Sequence, residues 1–508
     1  MMSCANSLFS MPRAVRLSVQ SLFVCGLTLW TLGCGTGPQA EFKFRESTED
    51  LVNPAKVAAK DTLKDRFGTP SALVAWERFP VAYGGVKGSV VSVADDKATV
   101  VVALDDDAAK VAKGAPIVWM TGSNAGQKSA NEVVTSFNKE TKQLGSSSSL
   151  STPVVGDRFV IGFGHDLQLG RVVYMKNCMH CHGVTGDGEG PTARYLNPLP
   201  RDYRNGQFKF TSTRSGEKAT RDDLHRIVKY GIPGTYMPSF LLLGDHETTA
   251  VIEYIRWLAI RGEFEKRMVA DLSSDFSVTS IADSTAKAAA AFNEKKKNNE
   301  PADQPMSQAK AIKAAGTAFS KFAKEELEPL IDETANLLAE AWSRAQEPET
   351  MVVPSVQRVA DTPESRERGR LLYMSDKTKC YTCHGMTGRG DGAAIEDFWP
   401  KPGTNEKYPN RGLHDEWGKP LKPRNLTLGQ YRGGRRPVDL FRRMYAGIKG
   451  TPMPAFGGTA LKDPEIWDLV NYVMSLPYQS RPPAQAASTA GPTTTTGSVA
   501  KLEEKSAP

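Results

Sequence analysis

The chain has 508 residues, of which 40% are hydrophobic and 24% charged, and its net charge is +7. That length allows three or four domains with cores of their own, and the composition is ordinary for a globular protein. No basic run is dense enough for nucleic acid, so the positive balance favours acidic partners or anionic surfaces through steering alone.

In chain order, Arg13 and Arg16 precede an apolar run from Leu17 to Leu32 that ends at Gly33-Cys34, after which the sequence turns small and polar. A basic segment, a short apolar run and a small residue before the break describe an export signal. Leu32-Gly33-Cys34 also resembles a bacterial lipobox, with Thr31 where leucine is usual, which makes Cys34 a candidate lipidation site. An uncleaved anchor is the alternative, because roughly 16 apolar-leaning residues approach the lower limit of a membrane span. Both place the bulk of residues 35–508 outside the cytoplasmic membrane, on its periplasmic face or in another cell-envelope membrane. Residues 47–70 carry a helical pattern that stops at Phe67-Gly68-Thr69-Pro70. From 81 to 163 the period becomes that of strands, and the apolar runs near 86–93, 98–104, 117–120 and 159–161 predict a small antiparallel sheet or barrel. Residues 47–163 are therefore assigned to a helix plus a β-rich module, and the stretch 81–163, with none of the residue types of a catalytic site, reads as a docking or packing piece.

Four of the seven cysteines form two pairs, each followed at once by a histidine. They are Cys178-Met-His-Cys181-His182, within residues 165–268, and Cys380-Tyr-Thr-Cys383-His384, within residues 362–480. A disulfide framework would scatter cysteines among loops, and a zinc site needs four ligands at other spacings. Two thiols separated by two residues can reach the two vinyl groups of one porphyrin, and the adjacent histidine then falls beneath the ring as an iron ligand. Two covalently attached haem c groups are predicted. Residues 269–361 lie between, rich in Ala, Lys and Glu, with helical spacing over 307–346 that Pro329 kinks or divides. They read as a helical linker. After Pro482 the Pro, Ala, Ser and Thr content predicts a disordered tail over 481–508.

The two motifs sit in an internal repeat. Arg171-Val-Val-Tyr174 matches Arg370-Leu-Leu-Tyr373, and the glycines 183, 186, 188 and 190 match 385, 388, 390 and 392. Pro200-Arg201-Asp202 with Gly206-Gln207-Phe208 aligns without a gap on Pro423-Arg424-Asn425 with Gly429-Gln430-Tyr431. Farther on, Gly231-Ile-Pro-Gly234-Thr-Tyr-Met237-Pro238 aligns on Gly447-Ile-Lys-Gly450-Thr-Pro-Met453-Pro454, and an apolar helix closes each copy, over 251–258 and 467–476.

Over about 220 of its 508 residues the chain resembles two class I cytochrome c domains. The expected fold is multidomain: two mainly-α cytochrome c domains, a small β-rich N-terminal domain and a helical linker. The resemblance implies that Met237 and Met453 are the distal iron ligands, and a thioether opposite an imidazole raises the reduction potential. Met175 and Met374 also correspond, but they lie on the helix before each motif, where core packing explains them. His225 corresponds to Phe441, which cannot bind iron, and His165, His246 and His414 have no counterparts in the repeat. Arg201 and Arg424 are candidate partners of the haem propionates. The resemblance further implies that the carbonyl of Pro191 accepts the second N–H of His182. Ala393 stands at that place in the second copy, so two unequal potentials are expected.

Six-coordinate irons leave one-electron transfer as the chemistry. The reading is a membrane-tethered electron carrier, or a subunit of a respiratory complex, working with a quinol-oxidising complex or a terminal oxidase. The alternatives are a dihaem peroxidase and the cytochrome subunit of a periplasmic dehydrogenase. Residues 362–480 hold 19 Lys and Arg against 13 Asp and Glu, among them Arg432, Arg435, Arg436, Arg442 and Arg443. A cationic rim of this kind steers acidic redox partners at low salt.

Overall fold

The computed structural model describes residues 40–479, apart from 97–98, 106–107, 122–131, 148–152 and 403. The export segment with Cys34 and the tail from 480 lie outside the described residues. Among the described residues no helix is long and apolar enough to cross a membrane. The chain divides into two compact units. One comprises residues up to 208 with 217–231 and 236–349; the other comprises 209–216, 232–235 and the chain from 350 onward.

Within the first unit, strands β1 (Val86–Val93), β2 (Thr99–Leu104), β3 (Ile117–Trp119), β4 (Val134–Asn138), β5 (Gln143–Ser146) and β6 (Arg158–Ile161) form one sheet. Its order is β3-β6-β1-β2-β5-β4, with every pairing antiparallel. A bridge between Pro116 and Val133 joins the two ends, so the sheet curls into a closed barrel that leaves no long free edge. Alternate side chains point inward, and Val90, Val100, Val102, Ile117, Trp119, Leu144 and Phe159 make a core separate from the helices. The buried carboxylate of Glu132 accepts a hydrogen bond from Trp119 Nε1 at 2.9 Å, which makes its place in that core tolerable. Strands β4 and β5 have no counterpart in the sequence expectation, because Thr135, Ser136, Asn138 and Gln143 break the apolar alternation.

The helices of this unit include α1 (Asn53–Phe67), α2 (His165–Asn177), α3 (Met179–His182), α4 (Arg221–Tyr230), α5 (Asp245–Phe276), α6 (Val278–Lys297), α7 (Gln308–Glu325) and α8 (Leu327–Arg344). The closing helix expected over 251–258 is the middle of α5, which runs for 32 residues and is buried almost all round. Helix α1, assigned from sequence to the β-rich module, instead joins this core through Ala55, Ala59, Leu63 and Phe67. The region 269–361, assigned as a linker, also contributes: Phe319 of α7 and Ile331, Leu338 and Trp342 of α8 belong to the same core. Amphipathic spacing shows that a helix has an apolar face but not which element covers it. The break between α7 and α8 falls at Glu326, and Pro329 sits in the first turn of α8, where proline costs little.

So deep a helix carries charges only because each finds a partner. Glu253 binds Arg256 at 2.6 Å and Arg221 at 2.6 Å, and it accepts the N–H of Ala82. Glu263 binds Lys218 at 2.6 Å and Trp342 Nε1 at 3.2 Å. Glu265 accepts from the N–H of Arg45 and the hydroxyl of Thr48, both at 2.7 Å.

The second unit holds α9 (Pro363–Tyr373), α10 (Cys380–His384), α11 (Pro437–Ala446) and α12 (Asp463–Gln479) around a smaller core that includes Tyr373, Phe441, Trp467, Val470 and Leu476. One contact recurs in both units. Helix α2 crosses α5 at Gly170, where a Cβ would lie 2.1 Å from the carbonyl oxygen of Ala250. Helix α9 crosses α12 at Gly369, where a Cβ would lie 2.1 Å from the carbonyl oxygen of Asp468. Only glycine allows backbones so close. Gly170→Ala and Gly369→Ala are each expected to destabilise their unit by about 1–3 kcal/mol through overpacking, measured by urea unfolding. An unchanged unfolding midpoint in both variants would contradict the crossing geometry.

Candidate haem sites

Each candidate site is built outward from that crossing. Tyr174, one turn after Gly170, packs at a steep tilt against Tyr254 of α5 with ring centroids 5.2 Å apart, and its hydroxyl donates to the carbonyl of Gly183 at 2.8 Å. Tyr373 repeats both contacts, at 5.4 Å from Tyr472 and 2.8 Å from the carbonyl of Gly385. In both copies the tyrosine thus pins the residue that follows the motif histidine. The chain then enters a loop in which Gly183, Gly186 and Gly188 all have φ near +75°, and Gly385, Gly388 and Gly390 have φ of +77°, +77° and +76°. Such values strain any residue with a Cβ. At the fourth glycine a Cβ would lie 2.4 Å from the carbonyl oxygen of His180, or 2.3 Å from that of Thr382, so the loop folds back onto the motif helix.

This loop brings the Pro-Arg segment against the histidine. A Cβ on Gly188 would lie 2.7 Å from the carbonyl oxygen of Pro200, and one on Gly390 would lie 2.5 Å from that of Pro423. His182 Nδ1 consequently sits 3.1 Å from the carbonyl oxygen of Arg201, and His384 Nδ1 sits 3.1 Å from that of Arg424. The acceptor is therefore the arginine carbonyl and not Pro191, and the contrast between Pro191 and Ala393 gives no ground for unequal sites. A carbonyl can only accept, so each Nδ1 carries the proton and each Nε2 keeps its lone pair for a metal. The side chain of Arg424 donates through Nε and Nη2 to the backbone and side-chain oxygens of Gln430, both at 2.9 Å. Those two donors are committed to Gln430 and not to a propionate.

Burial pushes the His182 imidazole down to about 4, offset in part by its bond to Arg201, and it lowers His384 as well. Burial raises the Cys178 thiol to about 12 and shifts Cys380 the same way. None of Cys178, Cys181, Cys380 and Cys383 is in a disulfide. Among the described residues no group of three His, Cys, Asp or Glu could hold a bare metal ion. Two free thiols and a neutral imidazole with Nε2 available form a donor set that fits a covalently attached haem at each motif.

The methionines stand on matching loops. Helix α4 ends at Gly231, with φ +66°, where a Cβ would lie 2.6 Å from the carbonyl oxygen of Met237. Helix α11 ends at Gly447, with φ +72°, where a Cβ would lie 2.8 Å from that of Met453. Thr235 and Thr451 close the turns by hydroxyl bonds to Ile232 and Ile448, at 2.8 and 2.7 Å. The N–H groups of Phe240 and Phe456 return to the carbonyls of Val228 and Met444. Both methionines are half-buried. Met175 and Met374 pack against the two cores. His180 is exposed; His165 and His246 are also exposed and share one oxygen of Asp166, at 3.3 and 3.0 Å. His414 is buried and stacks on Tyr408 at 4.0 Å, and His225 is half-buried on α4.

One neighbour of the histidine escaped the sequence comparison. Tyr203 stacks on His182 with centroids 4.8 Å apart and planes 21° from parallel. The signal lay one residue beyond the matched Pro-Arg frame, where the second copy has Leu426.

Two such donor sets have the chemistry of c-type haem attachment, repeated in two domains. Residues 167–259 and 367–477 belong to the cytochrome c family. The two repeats are class I cytochrome c domains, whose membership carries covalent haem c and one-electron transfer. No curated relative matches the chain. Among solved structures, a chain of the Kuenenia stuttgartiensis reducing HAO-like protein complex aligns at 26% identity with a TM-score of 0.39, over 61% of this chain and 96% of its own length.

Tyr203→Leu is expected to move the potential of the His182 site toward that of the His384 site, by up to roughly 60 mV for a stacking contact of about 0.5–1.5 kcal/mol. Potentiometric titration reads it, and a separation that stays the same would rule out the stack as the source of inequality.

Proposed function

We propose that this chain is a dihaem electron carrier, tethered to the periplasmic face of a bacterial membrane, that serves as a shuttle or subunit of a respiratory complex. The observation that carries it is the duplication of the whole donor arrangement. Both copies have the thiol pair, the histidine with its Nδ1 proton held by an arginine carbonyl, and the methionine on a loop closed by glycine and threonine. Haem iron supplies the one-electron couple when bound. The protein residues do the rest. Cys178, Cys181, Cys380 and Cys383 would hold the porphyrins, His182 and His384 would bind iron through Nε2, and Met237 and Met453 would supply the second protein ligand. A methionine thioether on each iron would favour the reduced state and would leave no protein-free ligand position, which separates this reading from a peroxidase.

A quinol-oxidising complex, a terminal oxidase or a periplasmic dehydrogenase has the chemistry of a partner. The basic cluster near Met453 supports an acidic docking surface only in part. Arg436 is neutralised by Asp439 at 2.9 Å, whereas Arg442 donates to the carbonyl of Val352 and Arg443 to those of Arg432 and Gly434. A guanidinium on a carbonyl keeps its full positive charge, so Arg442 and Arg443 still contribute to steering.

Purified protein is expected to contain two haems per chain, both low-spin when oxidised. Met237→Ala and Met453→Ala should each lower the potential of one haem and open its iron to exogenous ligands. Wild-type spectra in both variants, or rapid peroxide turnover by the unmodified protein, would overturn the carrier reading. For the tether, Cys34→Ser should move the protein from the membrane fraction to the soluble periplasmic fraction; unchanged membrane association would favour an uncleaved anchor.

A further inference from the structure

The stretch 42–45, ahead of α1, lies against the glycine loop of the first motif, within the first unit. The N–H of Lys43 donates to Thr185 Oγ1 at 2.7 Å, and Thr185 is buried in that loop. Two residues on, Arg45 Nη2 donates to the carbonyl of Arg204 at 2.8 Å and to Asn205 Oδ1 at 3.0 Å. The stretch has its own footing on α5. The N–H of Arg45 donates to Glu265 Oε1, while Phe42 packs on Trp257 with ring centroids 5.8 Å apart. The Arg261 guanidinium sits 4.4 Å from the centre of the Phe42 ring.

Thr185 and Arg204 belong to the two segments that enclose His182. The carbonyl of Gly186 accepts the N–H of Tyr203 at 2.7 Å, and a Cβ on Gly186 would lie 2.9 Å from Tyr203 Cδ2. Tyr203 covers the imidazole, and the carbonyl of Arg201 holds its Nδ1 proton. Lys43 therefore grips one segment and Arg45 the other, so 42–45 staples them together around the histidine. The backbone bond to buried Thr185 matters most, because an orphaned buried partner is costly. The Lys43 ammonium also pairs with Glu189 at 2.5 Å, but both groups are largely exposed and the pair contributes little. Thr387, the counterpart of Thr185, is exposed. The staple is a feature of the first repeat.

We infer that 42–45 is a positioning element for His182, acting through Thr185 and Arg204 to set the potential of the first haem. The inference rests on the proposed role of His182 as an iron ligand. A hydrogen bond from Nδ1 makes the imidazole a stronger donor, which favours ferric iron. With the staple released, the two segments part, the bond to Arg201 weakens and the potential of that haem rises.

The test uses the full-length haem-loaded protein. Potentials are titrated in Thr185→Val, Thr185→Ser and Lys43→Pro, which removes the N–H, with Met237→Ala and Met453→Ala assigning the two haems. Amide hydrogen exchange, read by mass spectrometry, follows the peptides 183–190 and 385–392 in the same variants. Thr185→Val and Lys43→Pro should raise the potential of the first haem and speed exchange in 183–190. The second haem and 385–392 should stay as in the wild type. Thr185→Ser, which keeps the acceptor, should restore both readouts, and Thr387→Val should move neither potential. The inference is overturned if both variants leave the first haem at its wild-type potential or lower it, or if the two haems shift together. If Met237→Ala and Met453→Ala change no potential, the methionine assignment fails on its own. The exchange rates then decide the staple: faster exchange confined to 183–190 upholds it, and unchanged exchange there overturns it.

Discussion

The close crossing of the motif-bearing helix over the closing helix is the constraint on which both candidate haem sites depend. At Gly170 and Gly369 the two backbones meet where a methyl group would overlap a carbonyl oxygen. That approach sets the depth at which Tyr174 and Tyr373 enter the core, and each tyrosine hydroxyl fixes the carbonyl after the motif histidine. A wider crossing would move the tyrosine, release that carbonyl and leave the histidine ring free to turn. The chain of dependence runs from one missing Cβ to the orientation of the motif histidine.

The glycine loop carries the second half of the argument. Three positive φ values in six residues let the chain double back under the motif helix, which brings the Pro-Arg segment within hydrogen-bond reach of Nδ1. Both copies make the same bond with the same length, so the backbone acceptor equalises the two histidines. What separates them is side-chain chemistry: an aromatic face of Tyr203 against His182, and an aliphatic Leu426 at the same place in the second copy. The first imidazole has a polarisable ring as neighbour.

The legible parts of this protein were those fixed by local chemistry. Two Cys-x-x-Cys-His motifs, the glycine spacing and the Met-Pro loops are short-range patterns, and the repeat made them reinforce one another. The barrel was visible through Val86 to Val93 and Ala98 to Leu104, but the polar hairpin of Thr135 to Ser146 hid two of its strands. The larger error of scale concerned α5. Its buried Glu253, Glu263 and Glu265 look like surface residues in a linear reading, because their partners Arg221, Lys218, Arg45 and Thr48 are distant in sequence. The same blindness made α1, α7 and α8 look peripheral, and it placed the Nδ1 acceptor at Pro191 in place of a carbonyl 19 residues from His182.

The two copies also differ in what supports them. In the first, the closing helix extends to Phe276 and is enclosed by α1, α7 and α8, with buried ion pairs that hold only if every partner stays in place. In the second, α12 rests on a core built almost wholly from its own repeat. Removing one partner of a buried charge is far more costly than trimming an exposed pair. The first site is therefore sensitive to residues with no counterpart in the repeat, such as Lys218 and Trp342, which both bind Glu263. Duplication supplied two equivalent donor sets, and the unshared surroundings are what make them different sites.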